Sequence, residues 1–207
     1  MTEQSAQDLA QKLKVDPAAL YRVMRVLAGL GVLRQDYSNR FYVTPFGETL
    51  RKDSPQSVRD YAIYSHEFVY DAFRGITDGV RTGKPVIDDL FGFLRANPDQ
   101  ESIFHAGMSN RGRIEAAAFL KAYQFSEPQT VVDVGGGNGG FLSVILACND
   151  HLSGVLLDQA SAIEAAKAAR GGPLPRCRLV AGDFFDDVPS DGNVYILKRV
   201  LFDWTAE

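Results

Sequence analysis

A glycine-rich segment is the part of this sequence with the clearest chemical potential. Residues 131–140 read VVDVGGGNGG, an apolar run followed by a glycine turn and then by a stretch of helical character. Glycines let the backbone adopt positive φ and approach a ligand closely, and a helix that starts beside them offers free N–H groups. A strand, a glycine turn and a helix in this order are typical of a nucleotide-binding site.

Two ligand classes fit this segment. Gly135, Gly137 and Gly140 have the G-x-G-x-x-G spacing of dinucleotide sites, in which Asp158 at the end of the next strand would hold ribose hydroxyls. That interpretation predicts an NAD enzyme. The other starts from Asp133, whose carboxylate would repel a pyrophosphate but attract a sulfonium or ammonium group. It predicts a cationic cofactor such as S-adenosylmethionine, which carries a sulfonium, an amino group, a ribose and an adenine.

The elements that must position these residues follow from the pattern after residue 125. Short β-branched runs alternate there with helical stretches, which indicates βαβ units and a parallel sheet in an α/β fold. The strands are predicted at 131–134, 154–157, 178–181 and 194–197. Helices are predicted at about 140–148 and 160–170, and a plain loop at 171–175.

The N-terminal region has the pattern of a winged helix-turn-helix. Apolar residues recur with helical spacing over residues 5–13, and a second helix begins with Asp16 as N-cap and Pro17 in its first turn, and stops at Gly31. Two short β-like runs separated by a polar turn follow within residues 32–43 and predict a hairpin.

Such a pattern binds DNA in some proteins and packs against protein in others. A recognition helix presents polar and basic side chains to base edges, but the second helix here offers only Arg22 and Arg25 among apolar residues. We therefore predict a packing or dimerisation role. A winged-helix regulator with a ligand-sensing domain remains the alternative from another functional class.

Residues 57–125 are predicted to be helical and are rich in aromatic side chains. Breaks are predicted at 82–85 and 97–98. Phe104 and Met108 lie four residues apart on one helix face, where a ring and a thioether could wall an apolar substrate pocket. His105 neighbours that pair, and His66 is a candidate to face the substrate.

The composition of the chain limits the classes of partner that it is expected to bind. The 207 residues carry 22 Lys and Arg against 26 Asp and Glu, so the net charge is 22 − 26 = −4, and 45% of the residues are hydrophobic. Low basic content argues against nucleic acid as a partner. No signal peptide or membrane span is predicted, which favours a soluble cytoplasmic protein. Cys148 and Cys177 lack metal-ligand spacing, so no metal site is predicted.

Four stretches in this order resemble one enzyme family. DVGGGNGGF, GVLLD, VAGDFFDDVP and YILKRVLFDW are similar to the cofactor half of class I S-adenosylmethionine-dependent O-methyltransferases, in the branch of caffeic-acid-type and bacterial polyketide-tailoring enzymes. The resemblance implies a winged-helix dimerisation domain over 1–55, a helical acceptor-pocket region over 56–125 and a partial Rossmann-like cofactor domain over 126–207. It also implies a homodimer that methylates a hydroxyl of an aromatic or polyketide-like small molecule.

The resemblance also implies roles for individual residues. The cofactor would be held by Asp133, Gly135, Gly137, Asp158, Asp183, Phe184 and Lys198. Among them, Asp133 and the glycines would meet the methionine portion, Asp158 the ribose hydroxyls, and Asp183 and Phe184 the adenine. Phe104 and Met108 fall where the family lines its acceptor pocket.

Two features depart from the family pattern. The family's general-base histidine precedes an Asp-Trp pair, but Phe202 stands there, so no catalytic residue is predicted. General-base help contributes roughly 100- to 10,000-fold in rate. Transfer would therefore rely on alignment onto an acidic phenol or enol, or the site has been turned to non-methylating chemistry. Family sheets have seven strands and only four are predicted here, so we expect a fragment with strand 194–197 at the sheet edge.

Overall fold

A computed structural model describes residues 3–168 and 174–204, and the chain divides into two compact units. The first unit is Met1–Arg59 and the second is Asp60–Glu207. The end of the helix predicted to residue 170 and most of the loop predicted at 171–175 lie outside the described residues. Within the described part of the chain, no helix has both the length and the apolar character that crossing a bilayer requires.

The first unit is a small helical domain with a three-stranded antiparallel sheet. Its elements are β1 Gln4–Ser5, α1 Ala6–Leu13, α2 Pro17–Gly29, β2 Leu33–Gln35, β3 Arg40–Val43 and α3 Pro45–Glu48. The strand order is β1-β3-β2, so the predicted hairpin is present and β1 adds an edge strand that the sequence pattern did not indicate. Ser5 and Asp16 cap the first two helices, with Asp16 Oδ1 accepting from the Ala19 N–H at 2.7 Å.

The second unit begins with helices. These are α4 Arg59–Tyr64, a π-helical segment Ser65–Tyr70, α5 Asp71–Phe73, α6 Ile76–Thr82, α7 Leu90–Ala96 and α8 Pro98–Ala122. The predicted break at Asn97-Pro98 is confirmed, because Asn97 separates α7 from α8 and Pro98 starts α8. The break near Gly83 is longer than predicted, since no helix is present between Thr82 and Leu90.

A four-stranded parallel sheet forms the rest of the second unit. Its elements are β4 Thr130–Val134, α9 Gly140–Cys148, β5 Ser153–Asp158, α10 Ala160–Ala168, β6 Cys177–Ala181, β7 Val194–Ile196 and a 3₁₀ turn at Leu201–Asp203. The strand order is β6-β5-β4-β7. The α/β prediction is thus confirmed, and β7 lies at the edge of the described sheet, as predicted.

Burial explains why these strands form without polar alternation. Val131, Val132, Leu156 and Leu157 are 0–1% exposed, because helices or loops cover both faces of a parallel sheet. The registry of β4 with β5 aligns Asp133 with Leu156, so the carboxyl ends of the two strands lie at one edge. That edge is where ligands bind in open α/β sheets.

The long helix α8 packs closely on the start of α9. A Cβ atom at Gly140 would lie 2.5 Å from Ser109 Oγ and 2.6 Å from the Ser109 carbonyl oxygen, and one at Gly112 would lie 3.2 Å from the Phe141 nitrogen. Only glycine at these positions allows such a close approach. The helix that carries Phe104 and Met108 is thereby brought against the glycine turn.

Candidate functional site

A cleft opens in the second unit at the carboxyl ends of β4, β5 and β6. Its lining includes eight of the residues that the sequence singled out: Phe104, Met108, Gly135, Gly137, Asp158, Asp183, Phe184 and Lys198. One wall consists of the strand ends and the turns that follow them, and we call it the strand wall. The opposite wall is the face of α8 that carries Phe104, and we call it the helical wall.

The glycine turn shapes the strand wall. Gly135 and Gly137 have φ of +66° and +63°, a region that side chains with a Cβ rarely adopt. The Gly135 N–H donates to the Leu157 carbonyl at 2.8 Å, which fixes the turn on β5. A Cβ atom at Gly135 would lie 2.8 Å from Val200, whereas one at Gly137 would meet no atom within 4 Å. The turn is therefore close-packed at its base and open at its tip.

Asp133 lies buried beneath this turn. Its side chain is 1% exposed, and neither carboxylate oxygen has a hydrogen-bond partner among the described residues. Burial raises its pKa to about 7, the positive charge of Lys198 opposes that rise, and the nearby charge of Asp158 adds to it. An unpartnered buried carboxyl is costly, and it is satisfied by a cationic or hydrogen-donating ligand.

Asp158 ends β5 and is held by backbone groups. Its Oδ2 accepts from the Gly137 N–H and its Oδ1 from the Gln159 N–H, both at 2.7 Å. Burial raises its pKa, and these two hydrogen bonds and the charge of His105 oppose the rise. A carboxylate has about four acceptor sites, so two remain for hydroxyl donors in the cleft.

Asp183 and Phe184 follow β6 on the same strand wall. Asp183 Oδ1 accepts from the Phe185 N–H at 2.9 Å, which shapes the turn. The Phe184 ring lies edge-on to Trp204, with the ring centroids 5.9 Å apart. A carboxylate beside an exposed aromatic face suits a flat ring that carries an amino group.

Lys198 lines the cleft, but its ammonium group is engaged by a residue that the sequence did not reveal. Lys198 Nζ lies 3.2 Å from Glu115 Oε2 and 5.3 Å from the centre of the Phe141 ring. Glu115 also accepts from Arg111 at 2.7 Å and from Arg199 at 2.9 Å. The two arginines and Lys198 hold the pKa of Glu115 down at about 2, against the opposing effect of burial.

The helical wall carries the predicted substrate pair in an aromatic setting. Phe104 packs edge-on against Tyr64 and Phe68, with ring centroids 5.8 Å and 6.1 Å apart. His66 is not brought to the cleft: it is exposed and stacks on Tyr70 at 6.0 Å, because the π-helical turn directs it away from the lining. Its assignment to the substrate pocket is not supported by this arrangement.

The family's base position lies in the turn after β7, next to the cleft but outside its lining. Phe202 is 72% exposed and is absent from the cleft lining, although its neighbours Asp203 and Trp204 belong to it. The turn that follows β7 therefore points its apolar residue outward.

A pair of residues on α8 joins the site instead. Glu101 and His105 both line the cleft, and Glu101 Oε1 lies 3.6 Å from His105 Nε2. Their spacing of four residues on a predicted helix was the available signal. The spacing alone did not indicate that this face of the helix would line a cleft.

Comparison with known proteins agrees with this site. The O-methyltransferase domain family matches residues 66–207, and the O-methyltransferase dimerisation domain matches residues 2–53. Phenazine O-methyltransferase PhzM of Lysobacter antibioticus is 36% identical over 205 residues, which are 96% of this chain and 60% of that protein. Aclacinomycin 10-hydroxylase RdmB of Streptomyces purpurascens is 33% identical over 212 residues, 96% of this chain and 56% of that protein.

Comparison with solved structures also gives neighbours that match nearly the whole chain. The crystal structure of LaPhzM superposes with a TM-score of 0.86 at 34% identity, covering 98% of this chain and 63% of that one. CalO1, a methyltransferase of calicheamicin biosynthesis solved in its SAH-bound form, has a TM-score of 0.78 at 30% identity, covering 98% and 62%. The chain thus spans about 60% of the length of the curated relatives described above. On the match of residues 66–207, this chain belongs to the O-methyltransferase domain family.

Proposed function

We propose that this chain binds S-adenosylmethionine and transfers its methyl group to a hydroxyl of an aromatic or polyketide-like small molecule. The observation that carries the proposal is the buried, unpartnered carboxyl of Asp133 beneath the glycine turn. Asp158 and Asp183 line the cleft on the same strand wall, and Asp133 lies enclosed beneath the turn between them and the sheet, so two carboxyl groups face the cofactor directly and a third lies behind the glycine turn. Such a site favours a cation over a pyrophosphate.

The residues present fit each part of that cofactor. Asp133 and the open tip at Gly137 suit the methionine portion with its ammonium group, and the free acceptor sites of Asp158 suit the two ribose hydroxyls. Asp183 and Phe184 suit the adenine amino group and ring. Once bound, the cofactor supplies an electrophilic methyl group on a sulfonium sulfur.

The chain's own contribution is binding and orientation. Phe104 and Met108 offer an apolar, polarizable face against which a flat acceptor would stack. Because that face lies opposite the strand wall, an acceptor hydroxyl held there would face the methyl group. Alignment of two bound reactants supplies much of the rate gain in such reactions.

Calorimetry with two cofactors tests the binding half of the proposal. We expect S-adenosylmethionine to bind and NAD not to, and Asp158→Asn to weaken S-adenosylmethionine binding by roughly tenfold or more, since charged hydrogen bonds to the ribose are lost. Asp150→Asn is the matched control, because Asp150 is fully exposed and outside the cleft. Tight NAD binding would overturn the proposal.

A transfer assay tests the chemical half. Radiolabelled methyl groups from S-adenosylmethionine are followed into hydroxyphenazines, hydroxynaphthoates and hydroxybenzoates. Label in the ether product of at least one class is the expected result. Binding of S-adenosylmethionine without transfer to any of them would favour the second candidate below.

We also propose a homodimer formed through the first unit. Val23, Val26 and Leu30 on or next to α2 are 55–66% exposed and share one helix face, which suits a protein partner better than DNA. The family of dimerisation domains that matches residues 2–53 supports a second copy as that partner. Light scattering of Val26→Glu should show a monomer, with Arg25→Glu, an exposed position on another face of the same helix, as the control.

Non-methylating tailoring chemistry is the second candidate. Phe202 favours it, since phenylalanine cannot accept a proton, and one relative at 33% identity is named a hydroxylase. A product that carries a new hydroxyl group and no label from the methyl donor would support this candidate.

A further inference from the structure

We propose that His105 is the base that takes the proton from the acceptor hydroxyl, and that Glu101 positions its ring. This inference rests on the proposed methyl transfer. It assigns the role that the family's sequence pattern would place at Phe202 to a different element, the helical wall.

The location of the pair favours this role. His105 directly follows Phe104 and lies three residues before Met108, so it stands beside the apolar face proposed for the acceptor. The side chains of His105 and Glu101 are 15% and 19% exposed, which shields them from bulk water. Both lie within the 25-residue helix α8, so the backbone that carries them is regular.

Two carboxyl groups lie near the His105 imidazole, one on each wall of the cleft. Glu101 Oε1 lies 3.6 Å from Nε2, an ion-pair distance, so the proposed positioning role is that this carboxylate favours the tautomer with the proton on Nε2 and leaves Nδ1 to accept a proton. Asp158, on the opposite wall, is close enough for its charge to interact with that of His105.

Competing bases are less well placed. His66 stacks on Tyr70 outside the cleft, and His151 Nε2 lies 3.1 Å from the Phe125 carbonyl oxygen. Asp133 is enclosed under the glycine turn. Of the aspartates in the cleft lining, Asp158 and Asp183 are assigned to the cofactor, which leaves Asp203 as the competitor whose variant belongs in the test.

Methyl transfer with His105 as base moves one proton and one methyl group. The acceptor O–H bond breaks, and its proton moves to Nδ1 of His105. The acceptor oxygen forms the new bond to the methyl carbon with the electron pair that the proton leaves behind. The pair of the broken carbon–sulfur bond stays on sulfur, which changes from a sulfonium to a neutral thioether. The imidazolium then releases its proton to solvent.

Kinetics with a graded set of acceptors tests the proposal. We expect His105→Asn to lower kcat by roughly 100-fold or more with little change in acceptor KM, since a general base acts in the transition state. The loss should shrink as ring substituents make a hydroxybenzoate more acidic, because an ionised hydroxyl needs no base. His66→Asn is the matched control and should behave as wild type.

Each outcome of that experiment either supports or contradicts the role of His105. If the wild-type chain binds S-adenosylmethionine but methylates no acceptor, the proposed function is wrong, and so is the role of His105 that rests on it. Wild-type transfer with an unaltered kcat in His105→Asn, a loss independent of acceptor acidity, or a loss in Asp203→Asn alone would overturn the inference and leave the proposed function intact.

A readout without turnover covers variants that fold poorly. Nitrogen-15 NMR of the three imidazoles reports which ring nitrogen carries the proton. We expect His105 to be protonated on Nε2 in the wild type and to become a mixture of tautomers in Glu101→Gln, with His66 and His151 unchanged. A His105 signal that does not respond to Glu101→Gln would overturn the positioning role.

Discussion

The two walls of the cleft are built in different ways. On the strand wall, Asp133 and Asp158 stand at or next to strand ends, and backbone N–H groups hold Asp158 in place. On the helical wall, Glu101, His105 and Glu115 sit on one helix, and Glu115 bonds to residues more than eighty positions away. The strand wall is therefore set by local backbone geometry and the helical wall by tertiary contacts. Substitutions should affect the two walls differently.

The largest effect is expected on the strand wall, at Asp133. Its pKa is about 7 in the folded chain against 3.8 as the ordinary value, so the folded state keeps a proton that the unfolded state has released. The wild type should therefore lose stability as the pH rises from about 4 to about 7. Asp133→Asn should remove that loss and raise the free energy of unfolding by up to about 4 kcal/mol at pH 8, since each unit of pKa difference corresponds to about 1.4 kcal/mol. Urea denaturation at several pH values measures this.

At pH 8, where the carboxyl of the wild type is ionised, the same variant should bind S-adenosylmethionine at least tenfold more weakly, because the amide lacks the charge that attracts a cation. Stabilisation combined with weaker binding would identify Asp133 as a functional residue with a stability cost. An unchanged affinity would contradict the assignment of this carboxyl to the cofactor.

Next comes the contact that joins the walls. Gly140→Ala would place a Cβ atom 2.5 Å from Ser109 Oγ, and the Ser109 backbone cannot move aside. We expect a loss of about 2 kcal/mol in unfolding free energy. Gly137→Ala is the control with open space around it, where only the positive φ of 63° costs about 1 kcal/mol. Equal losses in the two variants would show that α8 and α9 are less tightly packed than described.

A smaller effect is expected at Glu115 on the helical wall. Its folded pKa of about 2 lies below the ordinary 4.5, so its ion pairs stabilise the fold above pH 4.5 and stop doing so as the pH falls through about 2. Glu115→Gln should cost about 1 kcal/mol at pH 7, because the pairs are partly exposed. Trp204, the chain's single tryptophan, lies in the turn that Lys198 and Arg199 anchor.

Emission from Trp204 is the measurement for that variant. A shift to longer wavelength in Glu115→Gln without global unfolding would show that the carboxylate holds the turn against the cleft. Glu164→Gln, which breaks an exposed pair with Lys167, is the control and should leave the emission unchanged.

The smallest effect is expected at Phe202. Its side chain is 72% exposed and outside the cleft lining, so Phe202→His should change kcat by less than about twofold, in contrast to His105→Asn. Steady-state kinetics on the best acceptor checks this. A large increase in kcat would indicate that the general base of this site belongs in the turn after β7.

Much of the fold was predictable because its signals are local. The four parallel strands, the cap at Asp16 and the helix start at Gly140 follow from hydrophobic runs and residue types that act within a few positions. The strand β1 was not predictable, since two residues carry no periodicity and pair only through β3. The interruption between Thr82 and Leu90 was longer than expected because only its glycine and proline are visible as helix breakers.

The sequence by itself determined the strand wall: glycines at positive φ and acids at or after strand ends are dictated by the backbone, whatever lies opposite. Only the tertiary structure decided the helical wall. A helix of 25 residues presents side chains in all directions, and packing of Gly140 on Ser109 selects the face that meets the cleft. That packing brings Glu101 and His105 to the site, turns Glu115 toward Lys198, and leaves His66 and Phe202 outside.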